Sequence, residues 1–300
     1  MPDSAAPSRP PEPAPAGAVA AAVADLRDVA LDLWHARELL QQLTVRDLKL
    51  RYKQAVMGLG WAMFMPALIV LSGVFLRIIM ARLSNSKLDP SDVASIAVKA
   101  LPWAFFVGTI STATTSLTSN TQLVTKVYFP REVLPLSAVG AQAFDLSAAT
   151  VALSLLLGFV HPPAAAATLL WVPPLVLLLV AFTTAAALFL SCANLFFRDV
   201  KYIVQVLLTF GVFFTPVFFD AGMLGPAARR LVMLNPLSPI LEGLRLAVVD
   251  GHNLARPLVV GAATAWSPGD LLYTVAVTLV ALVGSALLFH RSEFVFAEYV

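Results

Sequence analysis

The chain has 300 residues, 59% of them hydrophobic and 13% charged, with a formal net charge of +2. Soluble domains carry roughly 25% charged and 45–50% apolar residues, so this composition excludes an ordinary soluble domain, and the small net charge implies no nucleic-acid partner. A single cysteine, Cys192, lies in an apolar run and excludes an intrachain disulfide.

Residues 1–17 are rich in Pro and Ala and have no apolar face, which predicts a disordered tail. Residues 18–30 are Ala-rich and compatible with helix. Residues 31–53 place Leu33, Trp34, Leu40, Leu43 and Leu48 among charges at close to a 3.6-residue repeat. Arg46, Lys49, Arg51 and Lys53 gather near the end of this segment, and an apolar run follows almost at once. A basic amphipathic helix beside a span suits an anionic lipid surface. Two roles fit it. It is an anchor on lipid phosphates, or Arg46, Arg51 and Lys53 collect an anionic lipid-linked head group at a pore entrance. Arginine binds phosphate through a bidentate fork, and lysine acts as a point charge.

A span needs about 20 apolar residues. Six are predicted, at about 58–80, 98–117, 134–159, 168–196, 202–219 and 270–290. The first lies too far into the chain, behind a charged segment, to be a cleavable signal peptide. Pro66 is a kink position in the first span. The hydroxyl-rich end of the second, "STATTSLTSNT", needs only bonds back to helix carbonyls. Residues 220–269 hold apolar pieces too short or too broken by Pro to span cleanly, which predicts interfacial or re-entrant half-helices. Six spans put both termini on one side. The density of Lys and Arg in the short loops on that side predicts that it is cytoplasmic, followed by a C-terminal tail at 291–300.

No GxxxxGK[ST] occurs, so the chain has no P-loop of its own. His35, His161, His252 and His290 are scattered without metal-ligand spacing, and no Ser/His/Asp set stands in a plausible context. Energised work would draw on another subunit. The loop at 120–135 places Val127, Tyr128 and Phe129 beside Lys126, Arg131 and Glu132, with Pro130 suited to the first position of a short helix. Exposed apolar and aromatic residues among charges fit docking to a partner, or a loop lying on lipid. Asp145 falls near the middle of the third span. An intramembrane carboxylate is costly. With no basic partner at mid-span in sequence, a hydrogen bond to Gln142 or Asn194 is the plainer account. Trp61, Phe64, Trp103, Phe106, Phe213 and Phe214 either face lipid and the interfaces or line a passage in which flat ring faces stack on sugars.

Five stretches resemble one family in that family's order: "LTVRDLKLRYKQAVMGLGWAMFMP", "VTKVYFPREVLPLS", "LFFRDVKYIV" with "FFTPVFF", "LNPLSPILEGLR" and "FHRSEFVFAEYV". They look like the membrane subunit of ABC-2-type polysaccharide exporters, over residues 39–300. The resemblance implies an all-α integral membrane fold with six spans per protomer and a homodimer with its pore between the protomers. Two copies of a separate cytoplasmic P-loop ATPase would carry ATP and Mg, and this chain would hold no cofactor. It further implies an amphipathic interface helix at 39–53, a coupling helix at 126–132 in a cleft of the ATPase, and outer re-entrant gate helices around 231–249, which include Asn235, Pro236, Glu242 and Arg245. The implied activity is export of a lipid-linked polysaccharide such as O-antigen across the bacterial cytoplasmic membrane, without enzymatic chemistry in this chain. An ABC-2 permease for a small lipid or drug is the alternative, and a membrane enzyme acting on a lipid phosphate is a more distant one.

Overall fold

The computed structural model describes residues 17–53, 58, 60–83, 85, 89–127, 129–160, 166–260 and 263–296. The expectations for residues 1–16, Tyr128, the His161 turn and the last four residues of the tail lie outside them.

Among the described residues the structure has twelve α-helices. The N-terminal segment is α1 (Ala18–His35) and α2 (Arg37–Tyr52), separated by a break at Ala36. Long apolar helices follow: α3 (Gly60–Leu83), α4 (Pro90–Thr114), then, after the short α5 (Ser116–Ser119) and α6 (Thr121–Lys126), α7 (Val133–Val160) and α8 (Val172–Phe196). Beyond them lie α9 (Val200–Gly211), α10 (Pro226–Met233), α11 (Leu237–Val248) and α12 (Pro268–Ser292). Among the described residues five helices are long and apolar enough to cross a bilayer, and the count reaches six if the bent pair α10 and α11 is taken as one span.

Two of the long helices start in the same way. Asp89-Pro90-Ser91-Asp92 and Ser267-Pro268-Gly269-Asp270 are both capping boxes, with Pro in the first turn where its missing N–H costs nothing. The hydroxyl-rich end of α4 and its continuation behave as expected. Thr112, Thr114, Thr115, Thr118 and Ser119 all donate to carbonyls three or four residues back.

Helix α4 is the centre of the bundle: 72% of its most apolar stretch is buried, against 11% for α3 at the periphery. The main core gathers Trp103 and Phe105 of α4 with residues of α7, α8 and α11, including Leu179, Ile240 and Leu241. A second cluster lies beside α1, α2 and the end of α12. There Leu43, Leu117, Val133, Leu188, Phe289 and Phe296 pack together, and Phe289 meets Phe296 edge to face at 5.1 Å.

Three expectations change. The fifth span at 202–219 is not one helix. Helix α9 has 12 residues, about 18 Å at 1.5 Å each, short of a hydrocarbon core of about 30 Å, and turns carry the chain from there to Asp220. The segment 126–132 is not a helix either. Helix α6 ends at Lys126, Val127 is extended, and Pro130, Arg131 and Glu132 form the turns that lead into α7. Lastly, an antiparallel hairpin, β1 (Leu258–Val260) and β2 (Ala263–Trp266), interrupts the otherwise helical chain.

The expected broken segment does appear in 220–269. Helices α10 and α11 meet at 108° across Leu234-Asn235-Pro236. Arg229 ties α10 to the rest, donating to the carbonyl of Ala265 at 3.2 Å and pairing with Asp270 of the α12 cap.

Candidate functional site

A cleft of about 560 Å³ opens between the end of α2 and helices α3, α4, α7 and α9. Its walls include Trp61 and Met65 of α3, Trp103 and Phe105 of α4, Leu208 of α9, and Phe218. Ser111 and Thr112 of α4 add hydroxyls, and Arg51, Tyr52, Gln142 and Asp145 supply its strongest polar groups.

Helix α2 reaches this cleft because it docks closely on α7. Gly140 makes that approach possible: a Cβ there would stand 3.0 Å from Thr44 Oγ1 and 3.1 Å from its methyl group. Asp47 of α2 accepts from Ser137 of α7 at 2.9 Å, and Leu43 is buried at the same junction. Eight residues further along α7, Asp145 receives the last turn of α2. Arg51 Nη1 pairs with its Oδ2, and the Tyr52 hydroxyl donates to its Oδ1 at 2.5 Å. Burial and the bond to Asp145 push the Tyr52 phenol up to about 12, so it stays protonated and remains a donor at neutral pH.

Gln142 lies one helical turn before Asp145. With its amide oxygen turned toward Arg51, it accepts from Nη1 and Nη2 at 3.2 Å. Gly108 of α4 makes room for it, since a Cβ there would fall 2.6 Å from the Gln142 side-chain amide. The expectation that Asp145 lacks a basic partner is therefore wrong. Ninety-four residues separate it from Arg51, so no local pattern signals the pair. Asn194 plays no part, because its side chain bonds Lys201 N and Thr118.

The other cations of α2 are placed differently from Arg51. Arg46 pairs with its neighbour Asp47 at 2.8 Å. Arg46, Lys49 and Lys53 line an open groove along one face of α2, and Tyr52 lies both in that groove and in the cleft.

Only two of the six proposed channel aromatics line the cleft, Trp61 and Trp103. Phe64 packs edge-on to Trp61 at 5.2 Å. Phe106 points into the bundle and stacks on Phe182 of α8 at 6.1 Å. Phe213 and Phe214 are exposed on the bundle surface. Residues three apart on a helix lie about 60° apart around its axis, and these two rings are neighbours with centroids 6.0 Å apart, so aromatic content and spacing alone could not sort Trp103 from Phe106.

The loop proposed for docking divides in two. Lys126 and Val127 are exposed. Phe129 packs against the second core cluster instead. Arg131 bonds the Glu293 backbone carbonyl through Nη1, and its own N–H donates to the Glu293 carboxylate at 3.0 Å. Glu132 is buried, with His290 Nδ1 3.7 Å away. Burial and the nearby Glu293 push its carboxyl up to about 7.

At the far end of the bundle an ionic network holds α11 against α3 and α4. Asp220 is its centre, meeting Arg77 at 2.8 Å, Lys99 at 2.6 Å and Arg245 at 3.5 Å. Arg77 also pairs with Asp92, and Arg245 with Glu242 and Asp250. Burial would raise the Asp220 carboxyl, but Lys99, Arg245 and Arg77 outweigh it and hold the group below the usual carboxylate range. Of the proposed gate residues, Glu242 and Arg245 belong to this network. Asn235 caps the turn by accepting from Leu237 N and donating to Thr215, and Pro236 opens α11. Hydropathy treats Arg77 and Lys99 as charges near span ends, and it does not reveal that Asp220 joins them.

The sequence profile described as ABC-2 type transporter matches residues 38–249, which take in nearly all of α2, the cleft and the bent pair. The chain is 29% identical over 236 residues to an O-antigen export system permease protein RfbA of Myxococcus xanthus, covering 77% of this chain and 88% of that protein. An RfbA of the same description from Klebsiella pneumoniae is 26% identical over 220 residues, covering 73% and 83%. With five helices able to cross a bilayer and a match over most of its length, the chain is a multi-pass membrane protein that belongs to the ABC-2 type transporter family.

Proposed function

We propose that the chain is the membrane subunit of an ATP-driven exporter that moves a lipid-linked polysaccharide across the bacterial cytoplasmic membrane. The observation that carries this reading is the cleft. Aromatic side chains at Trp61, Trp103 and Phe218 share its lining with hydroxyls at Ser111 and Thr112, with one cation at its polar end. Sugar rings bury their C–H faces on aromatic rings and exchange hydroxyl bonds readily, so such a wall holds a glycan without trapping it. The relatives named as O-antigen export permeases agree with that substrate class.

Two copies of the chain would enclose the passage, joined through apolar faces such as that of α3, and two copies of a cytoplasmic P-loop ATPase would supply ATP and Mg. Both termini would face the cytoplasm. Lys126 and Val127 would meet the ATPase, and the tie from Arg131 to Glu293 would pass its motion to α7 and α12. The network at Asp220 would hold the gate helices α10 and α11. The test is depletion of the protein in its own host. Accumulation of a lipid-linked glycan on the inner side of the membrane is expected. Accumulation of a small lipid or drug, with glycan export intact, would replace this reading.

A further inference from the structure

The cleft contains a charge arrangement that export of a glycan does not by itself require. Among the residues that line it, Arg51 and Asp145 are the charged ones, and each neutralises the other. Asp145 is 8% exposed and uses one oxygen for Arg51 and the other for Tyr52. The Arg51 guanidinium and the Tyr52 hydroxyl thus both donate to one internal carboxylate.

We propose that this set is a latched anion site. Asp145 occupies Arg51 and Tyr52 until a phosphate group carried on an apolar chain displaces it. The inference rests on the export reading for its biological setting, and on geometry for its chemistry. Three observations support it. First, the donors suit the ligand. A guanidinium presents a planar fork that matches two phosphate oxygens, and a protonated phenol adds a third bond. Second, the latch is soft. Arg51 also has the Gln142 amide at 3.2 Å, so the guanidinium keeps a neutral acceptor while it exchanges one anion for another. A buried arginine with no remaining acceptor would be far more costly to release. Third, the approach is built. The groove along α2, where Arg46, Lys49 and Lys53 outnumber the carboxylate of Glu38, shares Tyr52 with the cleft. An anion gathered on that basic face meets Tyr52 and Arg51 next. Apolar Met65, Ile69 and Leu208 in the same cleft suit the chain that carries it.

A latch of this kind confers selectivity. A neutral amphiphile gains nothing by entering, because it cannot replace the Asp145 carboxylate on Arg51. An anionic head can. Asp145 is then a specificity-determining residue that weakens binding of an anionic head at Arg51 and leaves a neutral one with nothing to gain there.

The full-length protein in phosphatidylcholine nanodiscs, titrated calorimetrically with dodecyl phosphate, tests this. Asp145→Asn keeps the shape and removes the competing charge, and it should tighten binding at least fivefold. Arg51→Gln should weaken binding at least tenfold. That variant leaves Asp145 unpaired and can fail to fold, so R51Q/D145N, which removes both charges, carries the same expectation of weak binding with no gain from the Asn. Dodecyl maltoside should show no dependence on either residue. Inorganic phosphate that failed to compete would support a lipid-borne source, whereas full competition at equal concentration would overturn that source. Asp145→Asn binding no tighter than the parent, or R51Q/D145N binding as well as Asp145→Asn, would overturn the latch. No lipid-linked polysaccharide is present in these measurements, so their failure leaves the export reading standing. A failed depletion experiment likewise leaves the order of affinities intact.

Discussion

Lys99 Nζ lies 2.6 Å from Asp220 Oδ1 and 2.7 Å from the carbonyl oxygen of Phe219, with its side chain fully buried. An ammonium group in such a place is tolerated only where acceptors like these replace its water. Asp220→Ala should therefore destabilise the protein by about 3–5 kcal/mol, the usual cost of leaving a buried charge unpaired. Thermal unfolding in detergent reads it. Lys99→Met should cost less, because Asp220 keeps Arg77 and Arg245. Equal melting temperatures for Asp220→Ala and the parent would exclude the network as a structural tie.

The approach of α2 to α7 depends on the missing side chain at Gly140. Gly140→Val should force the helices apart at Thr44, at a cost of about 1–3 kcal/mol for overpacking, and should raise protease sensitivity between α1 and α3. Thr44→Ala in the same chain removes the atoms that the new side chain meets, so it should restore part of the loss. A Gly140→Val chain as protease-resistant as the parent would contradict the docking.

The two halves of the 126–132 loop should respond differently. Lys126→Glu with Val127→Asp should reduce co-purification of the ATPase severalfold and leave thermal stability within about 0.5 kcal/mol, as for most exposed sites. Phe129→Ala should lower stability by about 1–3 kcal/mol, because Phe129 packs inward. Retained capture by the Lys126 and Val127 pair would remove those two residues from the interface.

Glu132 should make stability depend on pH. Burial and Glu293 raise its carboxyl from an ordinary 4.5 to about 7, so the folded chain binds this proton more tightly than the unfolded chain does. Stability from this group is complete below about pH 4.5 and is lost as pH rises through about 7. Asp32 and Glu293 act in the same direction, and His290 opposes them. Glu132→Gln should flatten the melting temperature between pH 5 and 8 and raise it at pH 8. A parent chain whose melting temperature climbs steadily from pH 5 to 8, with Glu132→Gln following in parallel, would show that Glu132 is not the group responsible.

The sequence by itself determined the helices and their place in a membrane. Hydropathy over about 20 residues is a local property, and it set α3, α7, α8 and α12 to within a few residues. Helix α4 instead begins at Pro90, well before the predicted span at 98, because its polar first turn is held by a capping box that hydropathy does not register. The break of the chain at 220–269 was legible locally as well: Asn235-Pro236 cannot sit inside a straight helix. Order in sequence also marked α2, the 126–132 loop and the bent pair as unusual. What only the tertiary structure decided was which charges meet. Arg51 finds Asp145 and Lys99 finds Asp220 across 94 and 121 residues. Periodicity reports which face of a helix is apolar, not which neighbour covers it. The same limit separates Trp103, which lines the cleft, from Phe106, which packs on Phe182. It also turns Arg131 and Glu132 inward toward Glu293 and His290, because a buried charge goes where its solvation is best replaced, and only the packed bundle determines where that is.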